Sequence, residues 1–219
     1  MHTKLFTTAT LALAGCLFAQ EPVPAPKPTQ DATAKPKALA LGDALPKGLA
    51  YRSIDGKLQS LDELRGKVVV FHFWSTTCPY EVQAEPKLNA LSADFAKKDV
   101  VVFGIAANAG EIGAEPDEKA FEEKDEAKLP YAELRQKAKE SKMNHALLVD
   151  HKAELGRLLD GKTTPHCFVF DKEGKLQYQG ALDDDGGGKK DVPMSYVRDA
   201  VAAVLAGEKP ATQSTKPYG

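Results

Sequence analysis

The chain has 219 residues, 42% of them hydrophobic and 27% charged, which fits one medium-sized domain with extensions and excludes a collagenous, coiled-coil or wholly disordered protein. Its 29 Lys and Arg against 31 Asp and Glu leave a formal charge of -2, too balanced to supply the basic face that a phosphate backbone needs, so no nucleic acid partner is expected. Three cysteines are too few for a disulfide framework, so each is read by its position.

Residues 1–20 carry Lys4 and then an apolar run from Leu5 to Cys16, too short to span a bilayer at ~1.5 Å per residue. This is the pattern of a bacterial-type secretory signal, and it directs the chain to the periplasm or cell envelope. Leu13-Ala14-Gly15-Cys16 resembles a lipobox, which would make Cys16 a lipidated mature N-terminus and the only link to a membrane. Ordinary cleavage after Ala14 or near Ala19, which discards Cys16, is the alternative. Residues 21–38 are Pro, Ala, Lys and Thr with almost nothing apolar beyond Val23, a linker that cannot offset its ordering entropy by burial. The folded domain is expected over 39–208, followed by a flexible tail over 209–219.

Leu39 to Gly66 holds short apolar pieces broken by Gly42, Pro46, Gly48 and Asp55-Gly56, as in an entering hairpin or loop. Lys67 to Phe73 is a near-continuous apolar run, the signature of a central strand covered on both faces. A helix is predicted from Pro79 to about Lys98, with Leu88, Leu91 and Phe95 on one face, and Val100 to Ile105 forms a second buried strand. Glu111 to Lys142 is charge-mixed and predicts one or two solvated helices. Leu147 to Asp150 is a short strand or apolar turn, Ala153 to Leu159 a short helix closed by Gly161, and Cys167–Phe170 with Lys175–Tyr178 a hairpin. Asp183 to Lys190 lacks the ligand spacing of a calcium loop and is expected to be solvated and flexible. Pro193 to Leu205 closes the domain as an amphipathic helix. This order describes an α/β fold, a central mixed sheet with helices on both faces.

Cys78 directly follows the first buried strand and precedes Pro79, a residue favoured at the first position of a helix. Its sulfur is therefore expected at a helix N-terminus, where unpaired N–H groups and the helix dipole stabilise a thiolate. A buried structural cysteine is the alternative.

Phe73-Trp74-Ser75-Thr76-Thr77-Cys78-Pro79-Tyr80-Glu81 resembles the active-site segment of the thioredoxin-like superfamily, in its exported redoxin (AhpC/TSA-like) group. Trp74 and Pro86 match the tryptophan and helix proline of thioredoxins, and Thr164-Pro165 with Phe168 to Asp171 resembles the cis-proline loop and its hairpin. The resemblance covers about Leu41 to Leu205 and implies a three-layer thioredoxin-like sandwich. It also implies a substrate groove formed by Trp74, Thr164, Pro165 and His166, thiol-disulfide or peroxide chemistry, and no cofactor.

Glu81 stands where a dithiol oxidoreductase has its second cysteine, and its expected role is to cap the helix at the Cys78 N–H, its charge partly opposing a thiolate. The peroxidatic motif of peroxiredoxins begins with a proline where this chain has Phe71, and their activating arginine aligns with Pro165. A thiol peroxidase is therefore the second expectation, and a non-catalytic binding module the third. His72 takes the position of the buried proton-moving carboxylate of thioredoxins, with catalysis or simple hydrogen-bond satisfaction as its two roles. Cys167 is either a resolving thiol or a small buried hydrophobe. Cys78, His72, His166 and Cys167 show no metal-ligand spacing, and no metal is expected. Related sequences often continue past Lys216-Pro217-Tyr218-Gly219 with a cysteine, so the resemblance implies that this chain lacks a tail thiol able to resolve Cys78. The primary expectation is an exported single-cysteine thiol-disulfide oxidoreductase acting on a protein or small-molecule disulfide or peroxide and regenerated by an external thiol.

Overall fold

The computed structural model describes residues 37–190 and 194–219, so the signal segment, Cys16 and nearly all of the linker lie outside the described residues. Seven strands form one mixed sheet: β1 (Ala50–Ser53), β2 (Leu58–Ser60), β3 (Val68–Trp74), β4 (Val100–Ala106), β5 (Ala146–Val149), β6 (Cys167–Phe170) and β7 (Leu176–Gly180). Their order across the sheet is β2-β1-β5-β4-β3-β6-β7. The β3-β4 and β4-β5 pairs are parallel, and the β1-β2, β1-β5, β3-β6 and β6-β7 pairs antiparallel. Five α-helices complete the domain: α1 (Glu81–Phe95), α2 (Ala109–Ile112), α3 (Ala132–Glu140), α4 (Glu154–Leu158) and α5 (Tyr196–Leu205). No helix among the described residues is long and apolar enough to cross a membrane.

All of β3 is buried because alternate side chains enter different cores. Val69, Phe71 and Phe73 pack with Phe103, Phe168, Phe170 and the α4 residues Leu155 and Leu158. Val68 and Val70 pack with Leu88 and Leu91 of α1, Val169 and Tyr178 of the sheet, and Val197 and Val201 of α5. A third cluster joins Trp74 to Ile54, Ala106, Leu134 and Leu147. Phe and Leu side chains thus hold helices to both faces, each full burial stabilising by roughly 1.5–3 kcal/mol relative to exposure. The architecture is the expected α/β sandwich.

Three local expectations are corrected. The first long helix begins at Glu81 rather than Pro79, because residues 79–80 form a turn in which Glu81 N donates to Cys78 O at 3.2 Å. The Asp183–Lys190 segment is solvated only in its second half: Gly187 to Lys190 are exposed, but Asp183 and Asp185 are buried, and Asp183 pairs with Lys87 Nζ at 2.6 Å. The tail is not loose either, since Ser214 bridges Gln179 in parallel register along the outer edge of β7.

Candidate active site

The site lies at the carboxyl end of β3, where parallel strands of an open α/β sheet present their loops. Residues 75–77 leave the strand and are fixed by one carboxylate. Ser75 Oγ donates to Glu111 Oε1, Thr76 N to Oε2 at 2.7 Å and Thr77 Oγ1 to Oε1 at 3.1 Å, while Asn108 Nδ2 donates to Oε1 at 3.0 Å. Burial works to raise the Glu111 carboxyl, but the hydrogen bonds from Ser75, Thr76 and Thr77 outweigh it and hold it below the usual range. Glu111 was not legible as a site residue. It lies in a charge-mixed stretch, 36 positions from Ser75, with no motif around it.

Glu111→Ala is expected to destabilise the domain by about 2 kcal/mol, since it orphans the Thr76 N–H and two hydroxyls next to Cys78. Because the folded value is depressed, this contribution is present above pH ~4.5 and lost as pH falls through the folded value. Urea unfolding at pH 7 and pH 3 checks both points: an unchanged midpoint at pH 7 would show that the clamp contributes nothing net.

Cys78 is partly buried, and its Sγ donates to Thr164 O at 2.9 Å. The Thr164-Pro165 bond is cis. The loop before β6 thus faces the cysteine with a main-chain carbonyl. Of the residues expected in a groove, Thr164 is in contact with Cys78, whereas Trp74 is 2% exposed within the Ile54–Leu134–Leu147 cluster. His166 is also turned inward. Its ring stacks on Phe168 at 4.3 Å, its Nδ1 accepts from Lys162 N at 3.3 Å, and burial lowers its pKa to about 4.

Glu81 does not cap the helix. Its carboxyl is 4% exposed and neither oxygen has a hydrogen-bond partner among the described residues. Burial, with Glu85 and Glu111 nearby, raises its pKa to about 9, so at neutral pH it is uncharged and does not oppose a thiolate by its charge. Three further buried groups lie on the same side of the sheet. His72 Nε2 meets His145 Nε2 at 2.9 Å, and His145 Nε2 lies 3.9 Å from Glu85 Oε1. Burial raises Glu85 to about 7, the nearby Trp74 side chain opposing it, and lowers His145 to about 4. His72 falls well below its ordinary value, from burial and from His145, and stays neutral. It pairs with His145 through Nε2, while its buried Nδ1 has no hydrogen-bond partner among the described residues, so the ring is satisfied at one nitrogen only.

Cys167 sits opposite His72 in the β3-β6 register and is wholly buried. Burial, then Glu81 and Asp183, push its thiol well above the ordinary range. Both described cysteines are free. Among the described residues no cluster of three or more His, Cys, Asp or Glu side chains is arranged to hold a metal ion.

A cysteine on the loop after a central strand, faced by a cis-proline loop that leads into an antiparallel hairpin, defines a thioredoxin-like protein. The chain belongs to the AhpC/TSA family, whose model matches residues 41–179. Among solved structures it is similar to a hypothetical protein from Sinorhizobium meliloti 1021, with TM-score 0.64 and 24% identity over 83% of this chain and 94% of that one. An uncharacterized conserved protein from Geobacillus kaustophilus gives TM-score 0.64 and 23% identity over 83% and 95% of the two chains. A candidate thiol:disulfide interchange protein DsbE from Chlorobium tepidum gives TM-score 0.51 and 21% identity over 65% and 85%. No curated protein matches the chain.

Proposed function

We propose that this protein is an exported thiol-disulfide oxidoreductase that works through one cysteine, Cys78, and is returned to its starting state by an external thiol. The observation that carries this reading is the partly accessible Cys78 sulfur held against Thr164 O beside cis-Pro165, while Cys167 is sealed in the core. In the first step the Cys78 thiolate attacks one sulfur of a substrate disulfide, forming a mixed disulfide as the other sulfur leaves as thiolate. An external thiolate then attacks the substrate sulfur of that mixed disulfide. The Cys78–substrate bond breaks, Cys78 leaves as thiolate, and the substrate departs joined to the external thiol.

A disulfide suits the site better than a peroxide, because a peroxide needs a cationic donor as its O–O bond breaks. Arg52, Arg65, Arg135 and Arg198 are engaged with Glu118, the Leu45 and Glu173 carbonyls, Asp55 and Asp94, and Arg157 of α4 acts on Asp150 and Tyr51; none of these contacts involves the Cys78 loop. Among the described residues there is no second accessible thiol. A mixed disulfide at Cys78 is accordingly expected to persist after mild oxidation until external thiol is added, with Cys167→Ser changing little. Mass spectrometry of the oxidised protein tests this, and a dominant Cys78–Cys167 bond would overturn the monothiol mechanism.

A further inference from the structure

The surface beside Cys78 is already occupied by the chain itself. After α5 the backbone returns to the sheet: Gln179 N donates to Gln213 O at 3.0 Å and Thr215 N to Gln179 O at 3.1 Å. Tyr178 Oη donates to Ala181 O at 2.6 Å, Ala181 N donates to Thr215 Oγ1 at 2.9 Å, and the Thr215 hydroxyl lies 2.7 Å from Tyr178 Oη. These contacts anchor residues 213–215.

Beyond the anchor the attachment changes character. Among the described residues no backbone hydrogen bond ties 216–219 to the domain. Tyr218 Oη donates instead to Asp183 Oδ1 at 2.9 Å, and Asp183 is a buried carboxylate whose other oxygen faces Lys87. The Tyr218 ring packs on Tyr80 at 5.8 Å and covers Gly186, where a Cβ would come within 2.6 Å of it. Gly219 then abuts the cis-proline loop so closely that a side chain there would collide with Thr163 Oγ1 and Thr164 O, the carbonyl that accepts from Cys78. One segment thus fills a hydroxyl-binding aromatic slot and closes over the oxygen next to the sulfur.

We propose that this slot, formed by Tyr80, Asp183 and Gly186 and leading to Thr164, is a docking groove for an extended partner polypeptide that presents a tyrosine followed by a small residue, and that residues 216–219 are an internal occupant which the partner displaces. The chemistry of the occupant defines the partner. The buried Asp183 selects an aromatic side chain with a hydroxyl, because its Oδ1, which also accepts from Asp185 N at 2.9 Å, would lose its second donor to an apolar ring. The approach to Thr164 O selects a residue without a bulky side chain. The weakly tied tip is what a competitor can exchange, whereas the anchor at 213–215 stays on β7. The inference deepens the proposed exchange reaction and rests on it in one respect: a peptide seated here brings its neighbouring sulfur to Cys78.

The test uses the full chain and two variants, Tyr218→Ala and Gly219→Val, with alkylation of Cys78 by iodoacetamide followed by peptide mapping. Each variant unseats the tip, so each is expected to react about tenfold faster than the parent, as for a groove open only about a tenth of the time before substitution. An amidated peptide Ser-Thr-Lys-Pro-Tyr-Gly is then added to the Tyr218→Ala protein. It is expected to restore the slow rate, and the same peptide with alanine for tyrosine is not. Unchanged alkylation in both variants overturns the proposal, as does equal protection by the two peptides. The peptide carries no sulfur, so protection without disulfide exchange would remove the proposed function and leave the groove, whereas exchange without protection would remove the groove alone.

Discussion

Cys78→Ser abolishes disulfide exchange, with an expected loss of at least ~10³-fold, about 4 kcal/mol of transition-state stabilisation. A serine hydroxyl at the same place can still donate to Thr164 O, so the loop geometry survives while the nucleophile does not. Cys167→Ser is the control. Its thiol is wholly buried among Val169, Tyr178 and Leu182, and exchange requires an accessible sulfur. That substitution is expected to lower stability by about 1–3 kcal/mol, because a hydroxyl is placed without a partner in an apolar core, while the exchange rate per folded molecule stays within about twofold. Stopped-flow exchange with a small aromatic disulfide, normalised to folded protein, separates the two. A Cys78→Ser protein that still exchanges, or a Cys167→Ser protein that does not, would place the reacting sulfur elsewhere.

The second large effect concerns the carboxyl buried beneath that cysteine. Glu81 has a folded pKa of about 9 against an ordinary 4.5, so the native state keeps its proton across a window in which the unfolded chain has lost it. A raised acid is most favourable to the fold below its unfolded value, and stability falls as pH climbs from about 4.5 to 9. Glu85 acts in the same sense but only up to about 7, and His145, lowered to about 4, weakens the fold as pH drops below its ordinary 6.5. From pH 7 to 9 the decline is therefore mainly that of Glu81, the raised Cys167 thiol adding to it only near the top of the range. A full proton corresponds to about 1.4 kcal/mol per pH unit, so Glu81→Gln, which cannot ionise, is expected to flatten a decline of about 2 kcal/mol over that stretch. Urea unfolding of both proteins at pH 7, 8 and 9 measures it. Parallel curves would show that Glu81 is ionised in the folded protein.

These two residues also mark how far the sequence can be read. Cys78 was legible because the signal is local: an apolar run, a cysteine, a proline and a distant Thr-Pro pair before a hairpin. The β3 strand, the β6-β7 hairpin and the apolar face of α5 were legible for the same reason, since periodicity and turn residues act over a few positions. Glu81 was placed correctly but its orientation was not. Whether a carboxylate at that position reaches back to the chain or turns under it depends on the space left by Trp74, Glu85 and the sheet, which are distant in sequence or unsigned by any motif. Glu111 and Asp183 were missed because their partners, Ser75 to Thr77 and Lys87 with Tyr218, are contacts across long loops. Trp74 and His166 matched a family pattern by position, yet their side chains turn inward to fill the third cluster and to stack on Phe168.

The bridge between Ser214 and Gln179 has a consequence for how the molecule behaves in company. A sheet has two borders, and an uncovered border is a row of free N–H and C=O groups on which another chain can align. Here one border is β2, only three residues long. The other is β7, and residues 213–215 run along it as a short eighth row, with Thr215 seated so tightly against Gly180 that a side chain at Gly180 would strike it. The segment that stops β7 from recruiting a neighbour is thus the stem of the tip beside Cys78. Cover for the β7 border and the proposed control of access to the sulfur thus fall to adjoining stretches of one strand-like arm.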